Sequence, residues 1–400
     1  MPQLNKALKR FQPSAIQEVF ALAGRLKAQG REIIDLSVGE PDFDTPEHIK
    51  QAGIDAIRSN DTRYTSCEGT EALKSAISAK LKRDNDLDYA PGNIVVDCGV
   101  KPLLFHTLLA VLDEGNEVIV PTPCWPSYTG MIKLAGAEPV FVRCPQENGF
   151  KLQPEDLAAA ITKNTRLIML NSPSNPTGAA YNAEEMKGLT DVLLRYPDVW
   201  ILADDIYEHI IFDDFQHVNP VQIEPALYDR AITLNGVSKA YAMTGWRIGY
   251  AAGPDHLIAA LVKVLSQATG CASAMGQCAA VAALEGPQDF LQDWARIYQS
   301  RRDYLISRLD RVSGLDCHAP EGAFYLYPSC RGVLGKKTGA GQEIETSIDF
   351  AKYLLESGGV AVIPGSAFEF DPNIRLSYAS SIEALEQACE RIENACNDLE

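Results

Sequence analysis

The sequence predicts an α/β fold: a large domain with a mostly parallel sheet sandwiched by helices, plus a smaller α+β domain. From about residue 94, short apolar runs alternate with amphipathic segments, which is typical of strand–helix–strand units. After about residue 287 this alternation stops, and a long charged segment leads into scattered short strands. The length of 400 residues also exceeds what one ordinary core usually contains.

The elements follow in order along the chain. Helices are predicted over 183–195, 254–266, 272–285, 287–313, 346–357 and 381–398, and short strands around 316–328 and 373–378. The predicted domains are an N-terminal arm with part of the small domain (1–45), a large domain (46–290) and a small C-terminal domain (291–400). The apolar runs predicted to form the main sheet are Ile94–Val96, Glu117–Val120, Pro139–Val142, Leu167–Leu170, Trp200–Leu202 and Ala231–Leu234.

Composition narrows the class of protein. A formal net charge of −17 argues against nucleic acid or an anionic membrane as a partner, although a small acidic substrate could still meet a locally cationic site. The ten cysteines contain no Cys-x-x-Cys pair, so we expect reduced thiols in a cytoplasmic protein. We expect neither a signal peptide nor a membrane span. The six histidines lack metal-ligand spacing, so no metal is predicted.

The segment Ser238–Tyr250 carries the most informative residues. Lys239 lies in a run of small residues, and Arg247 follows eight positions later, just ahead of an apolar run. A lysine can form an imine with a carbonyl cofactor, and a guanidinium can hold a phosphate through paired hydrogen bonds. Pyridoxal phosphate requires both groups.

Further polar residues follow two predicted strands. The run Arg166–Leu170 leads into a loop with Asn175, two prolines and a glycine, and the run Val199–Ala203 leads into Asp204 and Tyr207. The carboxyl ends of parallel strands share one edge of a sheet, where ligands usually bind. A buried carboxylate can keep a pyridine nitrogen protonated, and an amide and a phenol can donate to the ring's phenolic oxygen.

Together these motifs resemble the fold-type I pyridoxal phosphate aminotransferases of class I and II, specifically the bacterial aspartate and prephenate aminotransferases. The resemblance covers nearly the whole chain, because Arg10–Ala15, Leu36–Pro46, Gly322–Tyr325 and Ile374–Tyr378 also fit the family. It implies a seven-stranded sheet, pyridoxal 5'-phosphate as cofactor, and transfer of an amino group between an amino acid and a 2-oxo acid by a ping-pong cycle. It also implies a homodimer with shared active sites.

The resemblance assigns cofactor roles residue by residue. Lys239, Asp204 and Tyr207 are the expected catalytic residues, with Lys239 forming the imine and moving the Cα proton. The phosphate is expected at the start of the helix after Gly99, where backbone N–H groups bind anions well. The remaining expected cofactor-binding residues are Val100, Lys101, Trp125 stacked on the ring, Asn175, Ser238, Arg247 and, from the neighbouring subunit, Tyr64.

The expected substrate-binding residues are Gly39, Trp125, Asn175, Arg375, Lys101 and Ser14. Arg375 closes an apolar strand, which is costly unless the guanidinium meets a fixed anion such as the substrate carboxylate. In the bacterial subgroup a lysine at the place of Lys101 contacts the distal carboxylate, and Ser14 also fits that subgroup. Ile16, where a threonine is usual, and Gly270–Ser273, where a hydroxyl-rich stretch is usual, depart from it.

We therefore expect aspartate- or glutamate-type substrates, with neutral or aromatic amino acids as the alternative. A pyridoxal phosphate β-lyase on the same fold is a second alternative, because it would share Lys239, Asp204, Tyr207 and Arg375. A sensor module of a regulator is disfavoured, since no helix-turn-helix segment remains outside the matching span.

Overall fold

The computed structural model describes residues 5–10 and 16–400. Its strands are β1 Ile34–Asp35, β2 Ile94–Asp97, β3 Glu117–Thr122, β4 Glu138–Arg143, β5 Thr165–Asn171, β6 Trp200–Asp204, β7 Ala231–Gly236, β8 Gly249–Ala252, β9 Tyr325–Leu326, β10 Val360–Ala361, β11 Ile363–Pro364 and β12 Ile374–Ser377. Its helices are α1 Ile16–Ala28, α2 Glu47–Arg58, α3 Glu71–Asn85, α4 Val100–Val111, α5 Pro126–Leu134, α6 Pro154–Ala160, α7 Ala183–Leu193, α8 Pro220–Ile223, α9 Asp255–Gln267, α10 Ala274–Glu285, α11 Asp289–Leu309, α12 Ser347–Tyr353 and α13 Ile382–Asn397.

The main sheet has seven strands in the order β2-β8-β7-β6-β5-β3-β4. All neighbours pair in parallel except β8, which runs antiparallel to both β2 and β7. Its strands read as continuous apolar runs because helices cover both faces. The predicted α/β class and the six predicted strands are confirmed. The sequence analysis did not identify β8, whose four residues are mostly small.

A second group of elements follows α11. Strands β11, β12 and β9 form an antiparallel three-stranded sheet, and β10 pairs in parallel with β1 from the start of the chain. Helix α1 packs through Val19, Ala23 and Leu26 against Leu355 and Ala361. These N-terminal residues therefore share a core with C-terminal ones, while the domain boundaries at 45 and 290 remain a prediction. No helix in the described ranges is long and apolar enough to span a bilayer.

Topology brings three polar strand ends to one edge of the main sheet. Strands β5 and β6 end at Asn171 and Asp204, which lie opposite each other in register. Strand β2 ends next to α4, with Gly99 between them. Because these strands are parallel, their following segments converge at this edge. That edge borders a cavity of about 1380 Å³.

Candidate active site

The cavity gathers most of the predicted site residues. Those that line it are Gly39, Val100, Lys101, Trp125, Asn175, Asp204, Tyr207, Ser238, Lys239, Arg247 and Arg375. Gly99 lies directly behind this lining. Tyr64 does not line the cavity, and its side chain is 98 % exposed. Ser14 lies outside the described residues, and the side chain of Ile16 is likewise not described.

Lys239 is held at the cavity wall by a neighbouring backbone carbonyl. Its Nζ donates a hydrogen bond of 2.6 Å to the carbonyl oxygen of Gly39. Burial is the main cause that lowers the pKa of Lys239 from 10.5 to about 8; the carboxylate of Glu40 opposes this shift, and the charges of Arg375 and Arg247 add to it. About a tenth of Lys239 is therefore uncharged at pH 7, far more than for an ordinary lysine, and a nucleophilic lysine requires this neutral form.

Of the two carboxylate oxygens of Asp204, one accepts a hydrogen bond from the protein and the other does not. Tyr128, on α5, donates a 2.5 Å hydrogen bond to its Oδ2. Its Oδ1 is buried and lacks a hydrogen-bond partner within the described ranges. Burial raises the pKa of Asp204 to about 6, and the bond from Tyr128 limits that rise. A buried acceptor without a partner is costly, so Oδ1 is suited to a donor on a ligand in the cavity.

An anion cradle forms where β2 turns into α4. Gly99 has φ of 101°, a conformation that favours glycine, and an added Cβ would lie 2.4 Å from Nη2 of Arg247. Arg247 itself is fixed by donating to the carbonyl oxygens of Cys98 at 3.1 Å and Thr244 at 2.9 Å. The free N–H groups of α4, the guanidinium and the Ser238 hydroxyl can all donate to a phosphate here.

Arg375 is buried in β12, with 6 % exposure. Its Nη1 donates to Oδ1 of Asn175 at 2.9 Å, and its Nη2 donates to the carbonyl oxygen of Ser37 at 2.6 Å. Its Nε has no partner in the described part of the chain. Burial lowers the pKa of Arg375 from its ordinary value. A guanidinium satisfied only by neutral acceptors can gain strongly from a carboxylate.

Lys101 and Trp125 lie next to each other in the lining of the same cavity as Arg375. The Nζ of Lys101 lies 4.9 Å from the centroid of the Trp125 ring, which is within cation–π distance. Burial and the charge of Arg247 lower the pKa of Lys101. Within the described residues, the cavity lining includes seven basic side chains and two acidic ones, although the chain as a whole is strongly acidic.

Sequence reasoning missed two tyrosines. Tyr128 lies in the first turn of α5, three residues after Trp125, and the two rings are in edge contact with centroids 5.4 Å apart, so its nearness to the predicted Trp125 could have indicated it. Tyr325 places its Oη 2.8 Å from Oη of Tyr207. It is 118 residues away in sequence, and no local pattern links the two.

These residues fit pyridoxal phosphate. The free oxygen of Asp204 suits a protonated ring nitrogen, the cradle at Gly99 suits the phosphate, and Lys239 suits the aldehyde carbon. Within the described residues no group of His, Cys, Asp and Glu is arranged to hold a metal ion.

The chain is similar to known proteins that carry the name of aminotransferases. Residues 31–392 match the family described as aminotransferase class I and II. The chain is 52 % identical to a probable aspartate/prephenate aminotransferase of Rhizobium leguminosarum bv. phaseoli over 396 residues, covering 99 % of each chain. It is 50 % identical to an aspartate/prephenate aminotransferase of Cereibacter sphaeroides, covering all of both chains.

Solved structures agree with these relatives. The crystal structure of an aspartate aminotransferase from Rhizobium meliloti superposes with a TM-score of 0.98 at 50 % identity, covering all of both chains. The aspartate aminotransferase of Thermus thermophilus with maleate superposes with a TM-score of 0.90 at 37 % identity, covering 99 % of this chain and 100 % of the other. The chain therefore belongs to the class I and II aminotransferase family and is a pyridoxal phosphate-dependent aminotransferase.

Proposed function

We propose that this aminotransferase exchanges an amino group between dicarboxylic amino acids and 2-oxo acids, of the aspartate and glutamate type. The observation that carries the proposal is the pair of cationic groups in one cavity: buried Arg375, with an unpartnered Nε, and Lys101 on another wall. One cation for each carboxylate suits a dicarboxylate. The relatives named for aspartate, and the Thermus thermophilus structure with maleate, a dicarboxylate, support this assignment.

Prephenate is a second candidate acceptor, because it is also a 2-oxo acid with two carboxylates. Several relatives carry it in their names. The basic side chains Lys9 and Lys133 extend the cationic lining beyond Lys101, while Arg10, also in the lining, pairs with Glu114 at 3.0 Å. This extra space and charge favour an acidic substrate larger than aspartate.

Each catalytic role follows from a contact in the site. When bound, the cofactor supplies a carbonyl carbon and a ring that accepts an electron pair. Lys239 would attach to that carbon, and its Nζ, once released, would remove the substrate Cα proton and deliver it to the cofactor side. Asp204 would hold a proton on the ring nitrogen, and Tyr207 and Asn175 would donate to the phenolic oxygen. Arg375 would orient the α-carboxylate with Asn175 and the backbone at Gly39.

The phosphate would be held by Gly99, Val100 and Lys101 through the backbone at the start of α4, together with Ser238 and Arg247. Trp125 would stack on the ring. Its indole lies in edge contact with Tyr128, with centroids 5.4 Å apart, so the partner of Asp204 also supports this aromatic wall.

A homodimer with shared sites is part of the proposal. Tyr64 is 98 % exposed, so its phenol is accessible to a second subunit. Covered by a partner subunit, the phenol could reach the phosphate bound in that subunit.

A cytoplasmic location is also part of the proposal. All ten cysteines are free thiols, and thiols stay reduced in the cytoplasm.

The substrate assignment is tested by first half-reactions, followed through cofactor absorbance with aspartate, glutamate, alanine, methionine, phenylalanine and arginine. We expect fast amination of the cofactor by the two acidic amino acids. Elimination without an aminated cofactor would favour the lyase alternative instead. Faster reaction with phenylalanine or alanine would favour the apolar pocket suggested by Ile16.

Lys101→Ala tests the distal-carboxylate contact. A charge-assisted hydrogen bond in a closed site contributes enough that the ratio of acidic to neutral substrate kcat/KM should fall about ten- to a hundredfold. Lys163→Ala is the control, because Lys163 is an exposed lysine outside the cavity lining, and its ratio should match that of the wild type. An unchanged ratio in Lys101→Ala would contradict the contact, whereas an equal loss for all substrates would indicate a cofactor-binding defect.

A further inference from the structure

Tyr325 occupies the centre of the site without a role in the scheme above. It is fully buried in β9, and its ring lies beneath Arg375, with the guanidinium carbon 4.5 Å from the ring centroid. Its hydroxyl lies 2.8 Å from that of Tyr207. An added Cβ on Gly39 would lie 2.6 Å from the same hydroxyl, while the next ring atom is 3.6 Å away. The Tyr325 side chain therefore contacts Arg375, which is proposed to bind the substrate, and Tyr207, which is proposed to bind the cofactor. It also lies next to the backbone of Gly39.

The two phenols are both neutral at working pH. Burial raises the pKa of Tyr207 well above its ordinary value and also raises that of Tyr325. Each hydroxyl therefore has one proton to donate. If Tyr207 donates to Tyr325, it has no proton left for a ligand oxygen. Tyr207 can donate to a ligand only when Tyr325 is the donor between them.

We propose that Tyr325 is a positioning residue that donates its phenolic proton to Tyr207 and so directs the Tyr207 proton at the oxygen of the bound cofactor. The resulting chain, from Tyr325 to Tyr207 to the ligand oxygen, is strengthened because each bond polarises the next. The phenyl ring of Tyr325 has a separate effect, since it packs against Arg375 whether or not the hydroxyl is present. Gly39 lacks a side chain because that hydroxyl occupies the space.

This inference rests on the proposed role of Tyr207. A donor to the cofactor's phenolic oxygen stabilises the deprotonated form of the lysine–cofactor linkage, because negative charge then develops on that oxygen. Removing the hydroxyl of Tyr325 weakens the donor. The pKa of the linkage, read from its absorbance without substrate, should therefore rise in Tyr325→Phe by about 0.3–1 unit.

The experiment titrates the absorbance of the wild-type holoenzyme, Tyr325→Phe, Tyr207→Phe and the double variant. We expect a rise in both single variants, larger in Tyr207→Phe, and no further rise in the double variant. The control is Tyr327→Phe, which removes an equally buried phenol that donates to Phe370 outside the cavity lining. Its titration should match that of the wild type.

Three outcomes would overturn the proposal: an unchanged titration in Tyr325→Phe, an equal shift in Tyr327→Phe, or additive shifts in the double variant. If Tyr207→Phe also leaves the titration unchanged, the role proposed for Tyr207 fails as well. If no absorbing linkage forms at Lys239, the proposed function fails instead.

A second pair of variants tests the close contact between the Tyr325 hydroxyl and Gly39, with KM as the measurement. Gly39→Ala should raise KM for the amino acid, because its methyl group clashes with the Tyr325 hydroxyl and shifts the backbone that is proposed to bind the substrate. Tyr325→Phe should largely relieve this defect, since the close contact involves only the oxygen. A Gly39→Ala defect of equal size in both backgrounds would contradict the close contact and, with it, the position of the hydroxyl.

Discussion

At the scale of single residues, burial shifts the pKa values of Asp204 and Lys239, and in each case a neighbouring residue opposes the shift. Burial disfavours the charged forms of both Asp204 and Lys239, so it raises the pKa of the first and lowers the pKa of the second. Tyr128 counteracts the first effect, and Glu40 counteracts the second. These partners, and not the reacting groups alone, therefore set the pH range in which the site works.

Tyr128→Phe should raise the pKa of Asp204 above about 6, because the carboxylate loses a hydrogen bond that stabilises its charged form. Asp204 must be ionised to hold a protonated ring nitrogen, so activity should be lost from the acid side. At pH 6–7 we expect a loss of about ten- to a hundredfold in kcat/KM, smaller at pH 8–9. A pH profile with an unmoved acid limb would contradict the role, and Tyr241→Phe, a buried phenol away from the cavity, is the control.

Glu40→Gln should lower the pKa of Lys239 below about 8, because the variant removes the largest charge that favours the protonated amine. Glutamine keeps the acceptor for the hydroxyl of Thr244. The rate at which the apoprotein attaches pyridoxal phosphate requires the neutral amine, so its rise with pH should occur at lower pH. Asp42→Asn is the control, since Asp42 pairs with Arg301 instead. A midpoint that moves equally in both variants, or upward in Glu40→Gln, would contradict this role.

At the scale of elements, the phosphate cradle depends on how β2 meets α4. The junction is Gly99, whose positive φ and close approach to Arg247 both exclude a side chain. The sequence predicts this junction well, because an apolar run followed by glycine and an amphipathic segment is a local pattern. It could not predict the partner, since Arg247 lies 149 residues beyond Cys98, the residue whose carbonyl it contacts.

Gly99→Ala should weaken binding of pyridoxal phosphate by about tenfold or more, through backbone strain and displacement of the Arg247 guanidinium. Gly115→Ala is the control for the general effect of alanine at positive φ, because Gly115 also has positive φ, has open space around its Cβ position and lies outside the cavity lining. The measurement is the Kd of the apoprotein for pyridoxal phosphate and for pyridoxal. Similar Kd values for pyridoxal phosphate in both variants, or equal losses for both ligands in Gly99→Ala, would contradict a phosphate cradle.

At the scale of the whole molecule, Tyr64 remains separated from the site it is predicted to serve. Its exposure fits a phenol that a partner subunit covers. Mixing inactive Lys239→Ala with a Tyr64→Ala variant under subunit exchange should create heterodimers in which one site has both residues. Random exchange at a 1:1 ratio should leave both residues intact in about a quarter of all sites, and activity should recover accordingly when the cofactor is saturating.

The control for this experiment is each variant subjected to the same exchange alone. No recovery despite demonstrated heterodimers would contradict shared sites. Full activity in a demonstrated monomer would contradict the dimer itself.

The sequence by itself determined the α/β class, the six parallel strands and the segment with Lys239 and Arg247. These features depend on local patterns: apolar periodicity, strand ends and residues a few positions apart. The tertiary structure alone decided which side chains face each other. Tyr128 reaches Asp204 across 76 residues, Tyr207 meets Tyr325 across 118, and Arg375 donates to Ser37 across 338. Such contacts depend on how helices, strands and the segments after them pack together, and no short stretch of sequence encodes that packing.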